Sequence, residues 1–94
     1  MCFRVWFKTK SDLRVVQWNA LVNRWIEDAI ERNGLQSGGG HRKTGLSDTW
    51  NEWDCVVEPQ PDCDLTEKKR ACVIAWLEDE AEILAYRVGP PVDC

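Results

Sequence analysis

The first hydrophobic positions of the chain alternate with polar or charged ones. Between residues 3 and 8 the apolar side chains recur at every second position, which is the period of a half-buried strand. One predicted face carries Phe3, Val5 and Phe7. The opposite face carries Arg4, Trp6 and Lys8, so Trp6 is the first aromatic residue that we expect outside the core.

A longer period follows this strand. From about Ser11 to Asn33 apolar residues recur every three or four positions, and this spacing predicts one long amphipathic helix. The predicted apolar arc comprises Val15, Trp18, Leu21, Val22, Trp25, Ile26, Ala29 and Ile30. Gly34 follows the last periodic residue and can adopt the left-handed conformation that ends a helix.

The segment from Leu35 to Gly45 is rich in glycine and basic residues. We interpret it as a short or bulged strand that runs into a turn. Its glycines invite comparison with a phosphate-binding Walker loop, but Arg42 stands where that loop requires glycine before its lysine. The basic tip formed by His41, Arg42 and Lys43 could still contact phosphate, although solvent exposure alone is the simpler interpretation.

A third strand is predicted from Trp50 to Glu58, and Pro59 ends it. Its core-facing residues are Trp53, Cys55 and Val57, with Asp54 and Glu58 on the other face. A fourth strand is predicted from Ile83 to Val88.

A second helix is predicted between these strands and runs to about Glu82. Asp64 has the spacing of a capping residue, and Thr66 is the competing cap. Its buried stripe comprises Val73, Ile74, Leu77 and Ala81, with Trp76 at the margin. The acidic run Glu78, Asp79 and Glu80 lies in the last turns, where carboxylates oppose the helix dipole, so helix stability does not explain it.

Strand, helix, strand, strand, helix, strand is the order of the split β-α-β-β-α-β plan. This order predicts an α+β, ferredoxin-like fold in which two helices pack on one face of an antiparallel sheet. The open face would carry Arg4, Trp6, Lys8, Asp54, Glu58 and Arg87. Because that face has one clear aromatic residue among charges of both signs, it is a weak candidate for reading single-stranded RNA.

The composition changes this picture little. The chain has 94 residues, 44% of them hydrophobic and 30% charged, which is typical of one soluble globular domain spanning 1–94. It has no apolar run of membrane-helix length, and its first residues do not resemble a signal peptide. We therefore expect a cytoplasmic protein without membrane contact.

The charges are distributed unevenly along the chain. Residues 1 to 47 hold eight Lys/Arg and four Asp/Glu, whereas residues 48 to 94 hold four and twelve. The five cysteines are an odd number, so free thiols are the default expectation, and Cys55 with Cys63 is the only pair worth checking for a disulfide. No catalytic residue, cofactor site or metal site is predicted, because the cysteines are widely spaced and His41 is the only histidine.

The order and spacing of these elements resemble the YggL-like family of small bacterial proteins associated with the large ribosomal subunit. The residues that carry the resemblance are Phe3 to Phe7, Ile26 to Glu31, Leu35 with Gly38 to Gly40, Trp53, Thr66-Glu67, Val73 to Leu77, and Pro91 to Asp93. Typical members begin with a basic extension before the first strand, whereas this sequence begins at Met1-Cys2-Phe3.

The resemblance implies a non-catalytic accessory factor that binds the large ribosomal subunit through protein or RNA. The alternative is a small acidic phage-type inhibitor that mimics nucleic acid or blocks a nucleic-acid-binding or defence complex, and a homodimer is a further option. The candidate partner-binding residues are Trp6, Arg42, Lys43, Trp50, Trp76, Glu78, Asp79 and Glu80.

Overall fold

Four strands and two helices make up the fold. The computed structural model describes residues 1–43 and 49–94, and for residues 11–12, 39–43 and 49–50 it describes the backbone alone. The strands are β1 (Phe3–Arg14), β2 (Leu35–Lys43), β3 (Thr49–Pro59) and β4 (Ile83–Val88). The helices are α1 (Val15–Arg24), which continues as a π-helical turn (Trp25–Ile30) and a 3-10 turn (Glu31–Asn33), and α2 (Glu67–Asp79).

The strands form one antiparallel sheet in the order β2-β3-β1-β4. β1 and β3 are therefore the central strands of the sheet, and β2 and β4 are its edge strands. The predicted α+β class, with two helices and a four-stranded antiparallel sheet, is confirmed, and this strand order is compatible with the ferredoxin-like plan. In the described part of the chain, neither helical segment has the length and hydropathy of a transmembrane span.

The core lies between the two helices and one face of the sheet. Phe7 is at its centre, with its ring centroid 5.7 Å from that of Trp25 and 6.4 Å from those of Trp18 and Trp53. Large aromatic side chains supply much of the buried area that a domain of this size needs. From the strands Phe3, Val5, Phe7, Leu35, Trp53, Cys55 and Val57 are buried, and from the helical segments Trp18, Leu21, Trp25, Ala29, Ile30, Val73 and Leu77.

The boundary between β1 and α1 corrects one prediction. The strand continues to Arg14, so the helix begins at Val15 and not near Ser11. Pairing across the sheet decides this, because Leu13 and Arg14 resume the ladder with β3 after a register shift. Val15 is 42% exposed and is not part of the buried arc.

The end of the first helical segment departs from α-helical geometry. Between Trp25 and Ile30 the segment is a π-helix, in which each N–H bonds to the carbonyl five residues earlier, so Trp25 and Ile30 turn towards the same side and both are buried. Gly34 then adopts the left-handed conformation with φ of 69°. The predicted glycine stop is therefore confirmed.

The second helix begins later than an Asp64 cap would give, and it ends earlier than its pattern suggests. Thr66 is the N-cap, and its hydroxyl accepts a hydrogen bond from the backbone N–H of Lys69 at 3.2 Å. The competing cap is therefore correct, and Asp64 is not the cap. The helix ends at Asp79, and Ala81, which was expected in the buried stripe, is exposed.

Candidate functional site

The face of the sheet that no described helix covers is the candidate site, and we call it the open face. Its residues follow from the alternation along each strand, because antiparallel partners point to the same side. Trp6 pairs with Asp54 on one side and with Arg87 on the other, while Arg4 pairs with Val56 and Lys8 with Glu52. With Glu58 these residues make up the open face, as the sequence predicted for all but Val56 and Glu52.

A cation–π contact lies at the centre of the open face. The guanidinium carbon of Arg87 is 5.5 Å from the centroid of the Trp6 ring. At a partly exposed site such a contact contributes about 0.5–1 kcal/mol, and it holds the ring and the cation side by side. Trp6 is half-buried, so part of its ring is available to a partner.

An ion pair lies beside this contact. Arg4 Nη2 is 3.5 Å from Asp54 Oδ2, and the Arg4 side chain is 73% exposed. A pair as exposed as this adds little to stability, on the order of 0–1 kcal/mol. Its effect is to place a guanidinium and a carboxylate next to the indole ring, where each can exchange partners with an incoming ligand.

These side chains surround a shallow groove of about 450 Å³. Gly89 forms one end of it, and its N–H donates to the carbonyl oxygen of Arg4 at 2.8 Å. Gly89 was not among the predicted site residues, because its position depends on a long-range contact with β1. The groove offers an aromatic surface, two guanidinium groups and one carboxylate, which suits binding of a mixed polar and apolar surface.

The predicted acidic residues at the end of α2 make contacts within the chain. Glu80 lies 3.1 Å from Arg24 Nη2, and its side chain is only 16% exposed. Tyr86 donates its hydroxyl hydrogen to Glu78 Oε1 at 2.6 Å, and this carboxylate, together with some burial, raises the pKa of Tyr86. Asp79 is exposed. The acidic run is therefore partly engaged in holding α2 against α1 and β4.

Trp76 lies at the edge of the core. Its ring meets Trp25 edge to face, with centroids 5.5 Å apart, and it packs against the buried cluster while remaining partly exposed. This partial burial of Trp76 agrees with its predicted place at the margin of the buried stripe of α2. Trp76 lies on the helix-covered side of the sheet and does not join Trp6 in one surface.

Three other predicted site residues have only their backbone described. The side chains of Arg42, Lys43 and Trp50 lie outside the described residues. In the ladder Arg42 pairs with Glu52, and Lys43 pairs with Trp50 beyond a register shift. This shift agrees with the prediction of a bulged strand.

The cysteines correct the expectation of free thiols. Cys2 and Cys94 form a disulfide, with their Cα atoms 5.7 Å apart, because an isolated bridge between Cys2 and Val92 brings the two chain ends together. Cys55 and Cys63 do not pair with each other. Burial raises the pKa of the Cys55 thiol, which keeps it protonated and unreactive near neutral pH.

The metal-binding potential of the described residues can be judged from their clustering. No group of three or more His, Cys, Asp or Glu side chains among them is placed to hold a metal ion. The groove on the open face also contains no histidine or thiol among its described residues. What this surface can do chemically is make ion pairs, hydrogen bonds and stacking contacts.

Comparison with known protein families identifies the chain. The model of the family described as YggL 50S ribosome-binding protein matches residues 1–94, the whole chain. The chain therefore belongs to this family, which supports a ribosome-associated binding role. A comparison with curated proteins found no match.

Proposed function

We propose that this chain is a non-catalytic accessory protein that binds the large ribosomal subunit in the cytoplasm. The observation that carries this proposal is the family match over residues 1–94, since the family is described as binding the 50S ribosome. A match that covers the whole chain includes every element that shapes the open face. The proposal agrees with a site that offers an aromatic surface and charged groups for binding.

We place the contact with the subunit on the open face. Trp6 and Arg87 support this assignment because tryptophan and arginine are the residues that most often dominate binding energy at interfaces. The cation–π contact fixes both groups before binding, which lowers the entropy cost of ordering them in a complex. Arg4 adds a second exposed cation beside them.

The component of the subunit that the open face contacts is either ribosomal RNA or a ribosomal protein. RNA would favour Arg4, Lys8 and Arg87 as phosphate ligands and Trp6 as a stacking surface. A protein would use Asp54 as well, since a basic side chain of the partner can compete with Arg4 for it. Arg42 and Lys43 at the end of β2 and Trp50 in β3 are further proposed contacts.

The contacts of Glu78, Asp79 and Glu80 give the alternative function, an acidic inhibitor, less support than the ribosomal role. Glu80 is paired with Arg24 and Glu78 with the Tyr86 hydroxyl, so only Asp79 of the three is exposed without such a contact among the described residues. A nucleic-acid mimic needs several carboxylates free to face a basic groove. We therefore favour the ribosomal role.

Co-sedimentation with purified large subunits tests the proposal. The protein should move with the subunits in a sucrose gradient at near-physiological salt, and not with small subunits run as the control. A salt titration then identifies the component that is contacted, because RNA binding weakens with a steep slope of log K against log salt. Failure to co-sediment with large subunits at any salt concentration would overturn the proposed function.

A further inference from the structure

Residues 89–94, which we call the arm, leave β4 and run beside the start of β1. The backbone N–H of Gly89 donates to the Arg4 carbonyl at 2.8 Å. Val92 and Cys2 then exchange two backbone hydrogen bonds of 2.8 Å each, which form the isolated bridge between these residues. The arm therefore contacts β1 and its preceding residue at two points, separated by two prolines that have no N–H to donate.

The outer part of the arm has little buried surface. Val92, Asp93 and Cys94 are all exposed, so the contacts described for this part are the bridge to Cys2 and the disulfide between Cys2 and Cys94. Segments with few buried contacts and exposed backbone hydrogen bonds open more easily than the core of a protein. Loss of the disulfide should therefore release the arm while the core stays folded.

The arm forms one end of the groove on the open face. Gly89 lines this groove of about 450 Å³ together with Arg4 and Trp6. Arg70 of α2 donates from Nε to the Gly89 carbonyl at 2.9 Å, so Gly89 is anchored and the rest of the arm can swing about it. Release of the arm removes backbone support beside Arg4. A less ordered Arg4 costs more conformational entropy when a partner binds.

The disulfide is accessible at one of its two sulfur atoms. Cys94 is exposed, whereas Cys2 is buried. A small thiolate therefore attacks the Cys94 sulfur, and Cys2 leaves as a thiolate that takes up a proton. A second small thiol then attacks the mixed disulfide and releases the Cys94 thiol, so two thiols are oxidised to one disulfide as the protein bond is reduced. Disulfides in a reducing cytoplasm are usually transient and catalytic or redox-sensing.

We propose that the Cys2–Cys94 disulfide is a redox switch that controls binding of the large subunit at the open face. With the bond intact, the arm fixes the Arg4 end of the groove. Reduction by a small thiol such as glutathione releases the arm and weakens binding. Control of this kind rests on the proposed function, because the groove lies on the surface that we assign to the subunit.

Co-sedimentation with large subunits compares the oxidised protein with the protein reduced by dithiothreitol. We expect reduction to weaken binding about fivefold, which is at the low end of the usual coupling between two sites. Cys94→Ser should bind as weakly as the reduced protein and should not respond to the reductant. Cys72→Ser removes a free, exposed thiol on α2 and is the matched control, which should respond as the native protein does.

Thermodynamic linkage provides an independent measurement. Bound large subunits should favour the oxidised form by the same factor by which oxidation favours binding. The ratio of oxidised to reduced protein is measured in glutathione buffers by alkylation and mass spectrometry of the peptide that contains Cys94. Saturating large subunits should raise this ratio about fivefold, and small subunits should leave it unchanged.

Hydrogen exchange tests the arm without any subunit present. Reduction should speed exchange of the Gly89 and Val92 amides. The Lys10 amide donates to the Glu82 carbonyl at 2.8 Å at the other end of the β1–β4 ladder, and it is the control that should not change. Unchanged exchange at Gly89 and Val92 would overturn the switch, whether or not the protein binds subunits.

The outcomes separate the switch from the proposed function. Equal binding of the oxidised and reduced forms would overturn the switch and leave the proposed function in place. Failure of both forms to co-sediment would overturn the proposed function and, with it, control of this site. Unfolding of the whole domain on reduction, seen by circular dichroism, would also overturn the switch, because it requires local release of the arm.

Discussion

Arg87 lies beside Trp6 on adjacent strands of the sheet, with its guanidinium carbon 5.5 Å from the centre of the indole ring. The two residues are 81 positions apart in the sequence and meet because β4 returns to pair with β1. This return combines one group from the basic first half of the chain with one from the acidic second half. On the same face Arg4 of the first half pairs with Asp54 of the second half at 3.5 Å, so the fold brings charges of the two halves together there.

Replacement of Trp6 should separate binding from stability. We expect Trp6→Ala to weaken large-subunit binding by about tenfold or more, because a tryptophan at the centre of an interface is a frequent hot spot. The free energy of unfolding should change by less than about 1 kcal/mol, since Trp6 lies outside the buried core. Co-sedimentation and urea denaturation measure the two effects.

The control for this variant is Val16→Ala. Val16 is an apolar residue of α1 that is 80% exposed and lies away from the open face, so its removal should leave binding unchanged. Undiminished binding of Trp6→Ala would show that the subunit is contacted elsewhere on the chain.

In contrast to Trp6, replacement of Trp76 should lower stability and leave binding unchanged. Trp76→Ala removes the edge-to-face contact with Trp25 and leaves a gap beside the core, which should cost about 2–3 kcal/mol of unfolding free energy. The folded fraction should still bind large subunits. Chemical denaturation followed by circular dichroism measures the loss, and a change below about 0.5 kcal/mol would contradict the position at the core edge.

Neutralisation of Asp79 tests the acidic alternative. Because Glu78 and Glu80 are engaged by Tyr86 and Arg24, Asp79 is the residue of the run that a basic partner could reach. We expect Asp79→Asn to change large-subunit binding by less than about twofold, as for a solvent-exposed charge away from the interface. A loss of binding larger than that of Trp6→Ala, measured in the same gradient, would favour the acidic end of α2 as the contact surface.

The sequence predicts the third and fourth strands better than the boundary between β1 and α1. The fourth strand agrees with its prediction at both ends, and the third differs by one residue at each end. Gly89 marks the end of the fourth pattern and Pro59 the end of the third. The start of α1 could not be predicted in the same way. Residues 11 to 14 fit a helix by local pattern, but pairing of Leu13 and Arg14 with β3 makes them strand.

The side-chain partners at the site depend on distances that the sequence does not contain. The composition of the open face follows from alternation alone, and therefore Arg4, Trp6 and Arg87 could be placed there before the fold was known. The contact between Glu80 and Arg24 could not, since 56 residues separate them. The same holds for Cys2 and Cys94 at a separation of 92 residues.

The terminal disulfide should contribute to stability. In the chain-entropy description a bond that closes nearly the whole chain restricts the unfolded state, so Cys94→Ser should lower the unfolding free energy by about 2–4 kcal/mol. The native protein should show the same loss when dithiothreitol is added, whereas the variant should not respond to it. Thermal denaturation with and without the reductant measures both effects.

The matched control for the disulfide is Cys72→Ser. Cys72 is a free, exposed cysteine on α2, so its replacement should leave the reductant-dependent shift of the native protein intact. A native protein with the same stability in both conditions would contradict a stabilising role for the Cys2–Cys94 bond.

The hydroxyl of Tyr86 can be titrated without interference from another tyrosine. It is the only tyrosine of the chain, so tyrosinate absorbance near 295 nm follows this hydroxyl alone. The hydrogen bond to the Glu78 carboxylate stabilises the protonated hydroxyl and raises the pKa of Tyr86 above its ordinary value of 10.0. A group whose pKa is raised by folding adds stability that is complete below the unfolded pKa and is lost as the pH rises through the folded pKa.

We therefore expect the protein to lose stability above pH 10, and Glu78→Gln should move the titration midpoint of Tyr86 back towards 10.0. Glu82→Gln, which removes a carboxylate without this hydrogen bond, should leave the midpoint unchanged, and an equal shift in both variants would mean that general surface charge, and not the contact with Glu78, sets the pKa of Tyr86.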